Sequence, residues 1–422
     1  MKLGLAAVAA ASALCAACLE IPSYQGPALI GYAEDGAGGA TIATPGVTLH
    51  FAGGSGAHLP DRLQINNVDI LGHVSSPCWS QSGAGFAMMP MPRISGDAVD
   101  GGGSDTTGQL TAMLRGPAVV QLKLDWSTRW SFSSGTTCST STRHKPGGTS
   151  TFTMFPDGHI VRHDVLTEVN PDMEQVTTGH CTCAAMPKAP DQFILSSYWA
   201  FDRTRLPTQV GLGRNGADNP DPLGADPDKI ISNYDTICLE GPSGEYQVAS
   251  VWVVPPGTPG GPPTLPAAFG YDTLVSHDAQ KQGTPMLEFP WDVHGALFIE
   301  NSTCPAAIKR ALDYTEPQEL VISSASGTMS MPPSALDGIY GGDPGNGKTG
   351  IDVPDGPTTL SGGPSGAFVV WLRFPRAVIV PTATRPGATG TWYVPQRVDD
   401  RTWLVWFQGA LKPGETITVR PN

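Results

Sequence analysis

Residues 119–126, Val-Val-Gln-Leu-Lys-Leu-Asp-Trp, alternate apolar and polar side chains. A period of two is what a strand with one buried face requires, and it constrains this chain more than any other feature. Residues 151–155 and 160–165 are β-rich runs flanking Pro156-Asp157-Gly158-His159, a turn with glycine where positive φ is tolerated. Further strands are expected at 193–201, 246–254, 368–374, 377–380, 390–394, 402–407 and 416–420, the last after a Lys412-Pro413-Gly414-Glu415 turn. Gly and Pro together supply 91 of 422 residues, nearly twice the typical share of about 12%, so elements are short and turns many. One helix is expected: Ser302 or Thr303 caps it, Pro305 sits near its first turn, and residues 306–312 favour helix. The fold class is therefore mainly β, an antiparallel β-sandwich with few helices, built as two packed β units or one large double sandwich.

Residues 255–266 hold six Pro and three Gly, a stiff extended connector either between domains or as an excursion from one. On this reading residues 18–45 form a flexible spacer around Gly36-Ala37-Gly38-Gly39-Ala40. Residues 46–254 form a first β unit, 255–268 the connector and 269–422 a second β unit. Beyond the N-terminal segment stand Cys78, Cys138, Cys181, Cys183, Cys238 and Cys304. An even set in an oxidising compartment predicts three disulfides, with the pairing left open by spacing alone. Cys181 and Cys183 each bond elsewhere on this reading, and the alternative for His180-Cys181-Thr182-Cys183 is a metal site. Five of the six precede the connector and only Cys304 follows it, so if all pair, one disulfide crosses the connector.

The chain opens Met1-Lys2, runs apolar from Leu3 to Leu14 and reaches Cys15-Ala16-Ala17-Cys18. A positive start, a short apolar centre and a small-residue end make an export signal of residues 1–17. The apolar run is 12 residues long, against about 20 for a membrane-spanning helix. Leu14-Cys15-Ala16-Ala17-Cys18 resembles the lipobox of bacterial lipoproteins, with Leu14 one place further upstream than the usual pattern. The resemblance covers residues 1–18 and implies a diacylated Cys18 that anchors the exported chain at the outer membrane or cell surface. Cleavage by an ordinary signal peptidase between Ala17 and Cys18 is the alternative. Loss of Lys2 takes the formal net charge from −13 to −14, and no basic run exists. The charge pattern of a nucleic-acid binder is missing, so no nucleic-acid partner is expected.

Two motifs spell nucleotide-binding patterns and are rejected on context. Gly342-Asp343-Pro344-Gly345-Asn346-Gly347-Lys348-Thr349 matches a phosphate-binding loop, yet the following Ile351-Asp352-Val353-Pro354-Asp355-Gly356-Pro357 cannot start the helix that the chemistry needs. Gly211-Leu212-Gly213-Arg214-Asn215-Gly216 matches a dinucleotide fingerprint and runs into Asn219-Pro220-Asp221-Pro222, with the same result. Gly363-Pro364-Ser365-Gly366 lacks the second glycine of a hydrolase serine elbow.

Three constellations remain. Asp218, Asp221, Asp226 and Asp228 crowd a Pro-punctuated loop, a donor set suited to Ca²⁺ or simply a solvated acidic loop. No cofactor is required by any motif. Trp79, Trp130 and Trp291 lie in turn-rich surroundings and are glycan-platform candidates, whereas Trp126 and Trp371 belong in the core. Trp403 and Trp406, three apart on one strand, point to opposite faces, with one expected in the core. Arg162-His163-Asp164 and Asp292-Val293-His294 carry acid–base candidates, of which Asp292 and His294 share a strand face.

Two functions are compatible with these residues. One is a surface-anchored β protein that binds glycan or protein partners without catalysis. The alternative is a glycan-acting enzyme, a lyase or hydrolase, using Arg162, His163, Asp292 and His294. In architecture the large galactose-mutarotase-like sandwiches are an analogy, which says nothing of function.

Overall fold

The computed structural model describes residues 29–54, 58, 60–71, 93–94, 97–98, 105–133, 140–144, 147–168, 192–201, 210–213, 230–232, 236–241, 244–253, 266–268, 274–282, 291–301, 303–315, 318–331, 339–342, 350–390 and 392–422. The chain is mainly β, with antiparallel sheets packed face to face and one helix, Cys304–Thr315, among the described residues.

The alternating run at 119–126 opens the longest strand, Val120–Ser133. It pairs with Asp105–Arg115 on one side, and with Gly147–Met154 and Thr140–His144 on the other. The central sheet continues through Ile160–Glu168, Trp291–Glu300, Gln247–Val253 and Thr236–Glu240 to Val210–Gly213, every pair antiparallel. Alternation divides its side chains between two apolar seams. Val120, Leu122, Leu124, Phe152, Ile160, Val248 and Leu297 pack against a five-stranded sheet formed by residues 31–69. Val161, Ala249, Val251, Ala296 and Phe298 face the other way, onto Ala307, Ala311 and Tyr314 of the helix and onto Val369, Trp371, Leu404 and Trp406.

Those last four belong to a C-terminal sandwich. One of its sheets joins Tyr393–Arg397, Thr402–Phe407 and Phe368–Arg373, with Ile339–Tyr340 and Ile351–Asp352 added in parallel. The other sheet joins residues 320–331, 358–362, 382–384 and 417–420. Phe368, Val370, Leu372, Trp403, Val405 and Phe407 fill the seam between them, with Leu320, Leu360, Ile417 and Val419 opposite. Trp403 and Trp406 do point to opposite faces, but both are core (2% and 3% exposed), because this sheet is covered on both sides. Gln396 ties the sandwich to the central sheet: its Oε1 accepts from the backbone N–H groups of Ala118 and Val119 at 3.1 and 2.8 Å.

Cys238 and Cys304 form a disulfide, their Cα atoms 5.7 Å apart. It crosses the Pro-rich connector, the crossing expected if all six cysteines pair, and fixes the start of the helix to the central sheet. Thr303 stands at the N-cap position of that helix, and its backbone carbonyl accepts the first helical bonds from Ala306 and Ala307. The other framework cysteines, Cys78, Cys138, Cys181 and Cys183, lie outside the described residues.

Three expectations are corrected. The proposed spacer is structured from residue 31: Gly31–Glu34 and Ala40–Ala43 form a hairpin, and the Gly-rich run is its turn. The Asp35 carboxylate accepts from the N–H groups of Ala37 and Gly39, and a Cβ on Gly39 would meet the Phe51 carbonyl at 2.5 Å. Trp291–Glu300, assigned to the second unit, sits inside the central sheet between residues 160–168 and 247–253. The connector therefore leads out of one sheet and back into it, and a boundary at 269 would split that sheet. Residues 377–380 are not a strand; the edge strand is Thr382–Thr384. Gly211 and Gly213 of the dinucleotide look-alike are in a strand, paired with Cys238 and Thr236.

Candidate functional site

Among the described residues, the helix and the sandwich cover only part of the second face of the central sheet. Its last row beneath the sandwich runs across neighbouring strands as Leu114, Gln121, Thr153, Val161, Ala296 and Val251. Gln121 donates to the Thr153 hydroxyl at 3.0 Å, closing the polar edge of that seam. Two residues further along each strand, three at the bulge between Ala112 and Leu114, the face changes character. The next row is Thr111, Lys123, Thr151, His163 and His294, and the one beyond it pairs Gln109, Asp125, Thr149 and Val165. Gln109 and Thr111 are exposed, and Lys123, Asp125, Thr149, Thr151, His163 and Val165 are half-buried. Five strands at about 4.8 Å spacing make this strip roughly 19 Å across. Lys123 and Asp125 form an ion pair at 2.9 Å within it.

His163 and His294 end the strip. They stand opposite each other on adjacent strands with rings stacked 3.8 Å apart at 14°. His294 is buried (4% exposed). Asp292 is on the same strand, opposite Val165, and its side chain lies outside the described residues.

Arg162 is elsewhere. Alternation sends it to the opposite face of the sheet, where it is 0% exposed and pairs with Asp164 through Nε–Oδ2 at 2.8 Å. Its guanidinium lies over the rings of Phe152 and Trp199, at 5.7 and 5.5 Å. Beside it the Trp126 indole donates to Ser150 at 3.2 Å. The four acid–base candidates are thus not one site: Arg162 belongs to the core, and His163 and His294 to the open face. Trp130 and Trp291 pair with His144 and Leu166 through the backbone, with side chains outside the described residues. Trp79, Asp218, Asp221, Asp226, Asp228 and Cys18 also lie outside them.

A second polar cluster was not anticipated as a unit. Arg310 of the helix donates to Glu300 at 2.5 Å and to Asp157 at 2.8 Å, and His159 lies 2.6 Å from Asp157. His159 is stacked between Phe155 and Phe298, with centroids 4.1 and 5.5 Å away. Burial disfavours charge on Asp157, but His159 and Arg310 outweigh it and hold the carboxyl well below the usual carboxylate range. Burial likewise opposes the Arg310 charge, which Asp157 and Glu300 together stabilise. A cavity of about 50 Å³ adjoins this cluster, lined also by Asp313, Tyr314, Tyr340 and Ser365. That is room for a few water molecules rather than a sugar ring. Ser365 donates its backbone N–H to Asp313 at 2.9 Å. The groups here are matched to one another, so the cluster acts as a clasp between helix, central sheet and sandwich.

Sequence reading also passed over Trp392 and Tyr393. Their half-buried rings lie 4.9 Å apart on the C-terminal sandwich, Trp392 6.0 Å from Phe407. The signal was an adjacent aromatic pair after a glycine-rich turn. Among the described residues no helix is long and apolar enough to cross a membrane.

No protein-family model and no curated protein matches the sequence. Among solved structures, the chain is similar to a quadruple mutant of an alpha-N-acetylgalactosaminidase from Bifidobacterium bifidum, with TM-score 0.35 and 9% identity, over 66% of this chain and 39% of that one. It is also similar to a galactose 1-epimerase from Lactobacillus acidophilus NCFM, with TM-score 0.33 and 9% identity, over 65% and 99% of the two chains. A GalM/aldose epimerase homologue from C. elegans gives 0.29 and 8%, over 65% and 99%. The chain spans about two fifths of the length of the Bifidobacterium protein.

Proposed function

We propose that this is an exported lipoprotein, anchored through Cys18, whose open sheet face binds a glycan without transforming it. The observation that supports this reading is the strip from Gln109 to His163. It offers hydroxyl, amide, carboxylate and ammonium groups, half-exposed, on a rigid sheet. Such donors and acceptors match the dense hydroxyls of a sugar chain, and a strip of roughly 19 Å accommodates more than one ring. Preorganised strand positions hold the polar groups in place before the ligand arrives. The catalytic alternative draws on Arg162 together with the histidines, and Arg162 is committed to the other face.

A panel of polysaccharides incubated with the purified protein tests this, read both for retention and for new reducing ends or unsaturated products. Retention of at least one glycan without new ends is expected. Thr151→Val and Lys123→Ala should each weaken it by about 1 kcal/mol, roughly fivefold, for one lost hydrogen bond. Retention that ignores both substitutions, or no retention at all, overturns the proposal. New chain ends would transfer the strip to an enzyme.

A further inference from the structure

We propose that Asp125 sets the specificity of the open strip, restricting it to uncharged glycans by holding the Lys123 ammonium in an ion pair. The inference deepens the glycan reading and rests on it. Lys123 and Asp125 stand two residues apart, so alternation puts both on the open face, with Nζ and Oδ1 2.9 Å apart. Their side chains are 39% and 47% exposed, within reach of a ligand. Each charge is set among neutral hydrogen-bonding neighbours: Lys123 lies between Thr111 and Thr151, and Asp125 between Gln109 and Thr149. Apart from the histidines at its end, no other charged side chain belongs to the strip among the described residues. An exposed pair of this kind adds little to folding. What it changes is the field over the strip.

A sugar hydroxyl both donates and accepts, so it takes a hydrogen bond from the ammonium and gives one to the carboxylate. An ammonium has three N–H donors and a carboxylate about four acceptor sites, so the contact between them leaves capacity for hydroxyls. A uronate carboxylate accepts only. Seated at hydrogen-bond distance from the Lys123 ammonium, it stands at most about 6 Å from the Asp125 oxygen. Two like charges that close weaken binding about threefold in water, and more at a partly desolvated surface. The formal net charge of −13 opposes the approach of a polyanion as well. Selectivity on this strip therefore comes from a repulsive element placed beside the attractive one.

The test titrates the full chain by calorimetry with neutral galactan, mannan and xylan and with polygalacturonate and polymannuronate. Titrations run at pH 8, where histidine is ordinarily neutral. Wild type should bind at least one neutral polymer more tightly than either uronate. Asp125→Asn is nearly isosteric on an open face, so circular dichroism should stay unchanged. The uronate-to-neutral affinity ratio should rise about threefold or more at low salt, and high salt should erase that gain. Asp125→Glu should keep the wild-type ratio. Lys123→Ala combined with Asp125→Asn should lose the gain, because the ammonium that draws the anion is gone. An unchanged ratio, or loss of all binding, in Asp125→Asn overturns the assignment. A uronate held by wild type as tightly as any neutral polymer overturns it too, and the glycan reading then stands. No binding of any polymer by wild type ends both.

Discussion

Arg162 carries a full charge at 0% exposure, and its counter-ion Asp164 stands two residues along the same strand at 1%. Removing one partner of such a pair strands the other, at a cost of about 3–5 kcal/mol, whereas replacing both by apolar residues is often neutral. Arg162→Ala should therefore lose most of that in denaturant unfolding, and Arg162→Met combined with Asp164→Leu should recover it. Asp157 makes a different prediction, in pH. Its carboxyl is depressed in the folded state, so the stability it adds is present above its unfolded value near 4 and is lost as pH falls below that. Asp157→Asn should lower the melting temperature at pH 7 and flatten its fall between about pH 4 and 2. At this scale the sequence was half legible. Alternation alone separates His163 from its two neighbours. It does not say which side is core, because both faces of this sheet are covered in part, and the sign of burial came only with the tertiary packing.

Elements with local causes were the readable ones. The hairpin around residue 158 and the helix after Thr303 both follow from turn and cap residues within a few positions, and both are found. Gly158 has φ +89°, and a Cβ there would meet Val47 Cγ2 at 2.7 Å. Gly158→Ala should destabilise by at least about 1–2 kcal/mol, the left-handed cost of one residue, as measured by denaturant midpoint. The Gly36–Ala40 run was misread because flexibility and tight turning share one composition. What separates them is Asp35, whose carboxylate accepts from two N–H groups of the turn. The strand expected at 377–380 failed for a related reason: an apolar run beside prolines is buried at Val378 and makes single backbone bonds, from Val378 to Asp400 and from Ile379 to Asn422, without building a strand ladder. The open strip was illegible in any single element. Each strand contributes one or two polar residues to it, and only the register across five strands assembles them.

On the scale of the molecule, strand order is the least local property and the one sequence described worst. Composition marks residues 255–266 as a break, and a break in composition reads as a break in structure. Here the chain leaves the central sheet at Val253 and re-enters it at Trp291, one strand away. Two ties span the excursion: the backbone pairing of 247–253 with 291–300, and the Cys238–Cys304 disulfide, which closes a 66-residue separation. A protease site inserted at residue 260 should therefore cut the chain without separating it. The nicked protein should elute with the intact one in native gel filtration and migrate as one band on a non-reducing denaturing gel. Reduction should split that band in two. Reduction without cutting should lower stability by about 2–5 kcal/mol, as for other native disulfides. A fragment beginning at 269 should fail to fold alone, because Leu274–Gln282 leaves its partner Gln192–Ala200 behind, Trp291–Glu300 belongs to the middle of a sheet left behind, and Trp371, Leu404 and Trp406 would lose the surface that covers them. If that fragment instead melts cooperatively, the connector divides two autonomous units and the continuity of the central sheet is not what holds the molecule together.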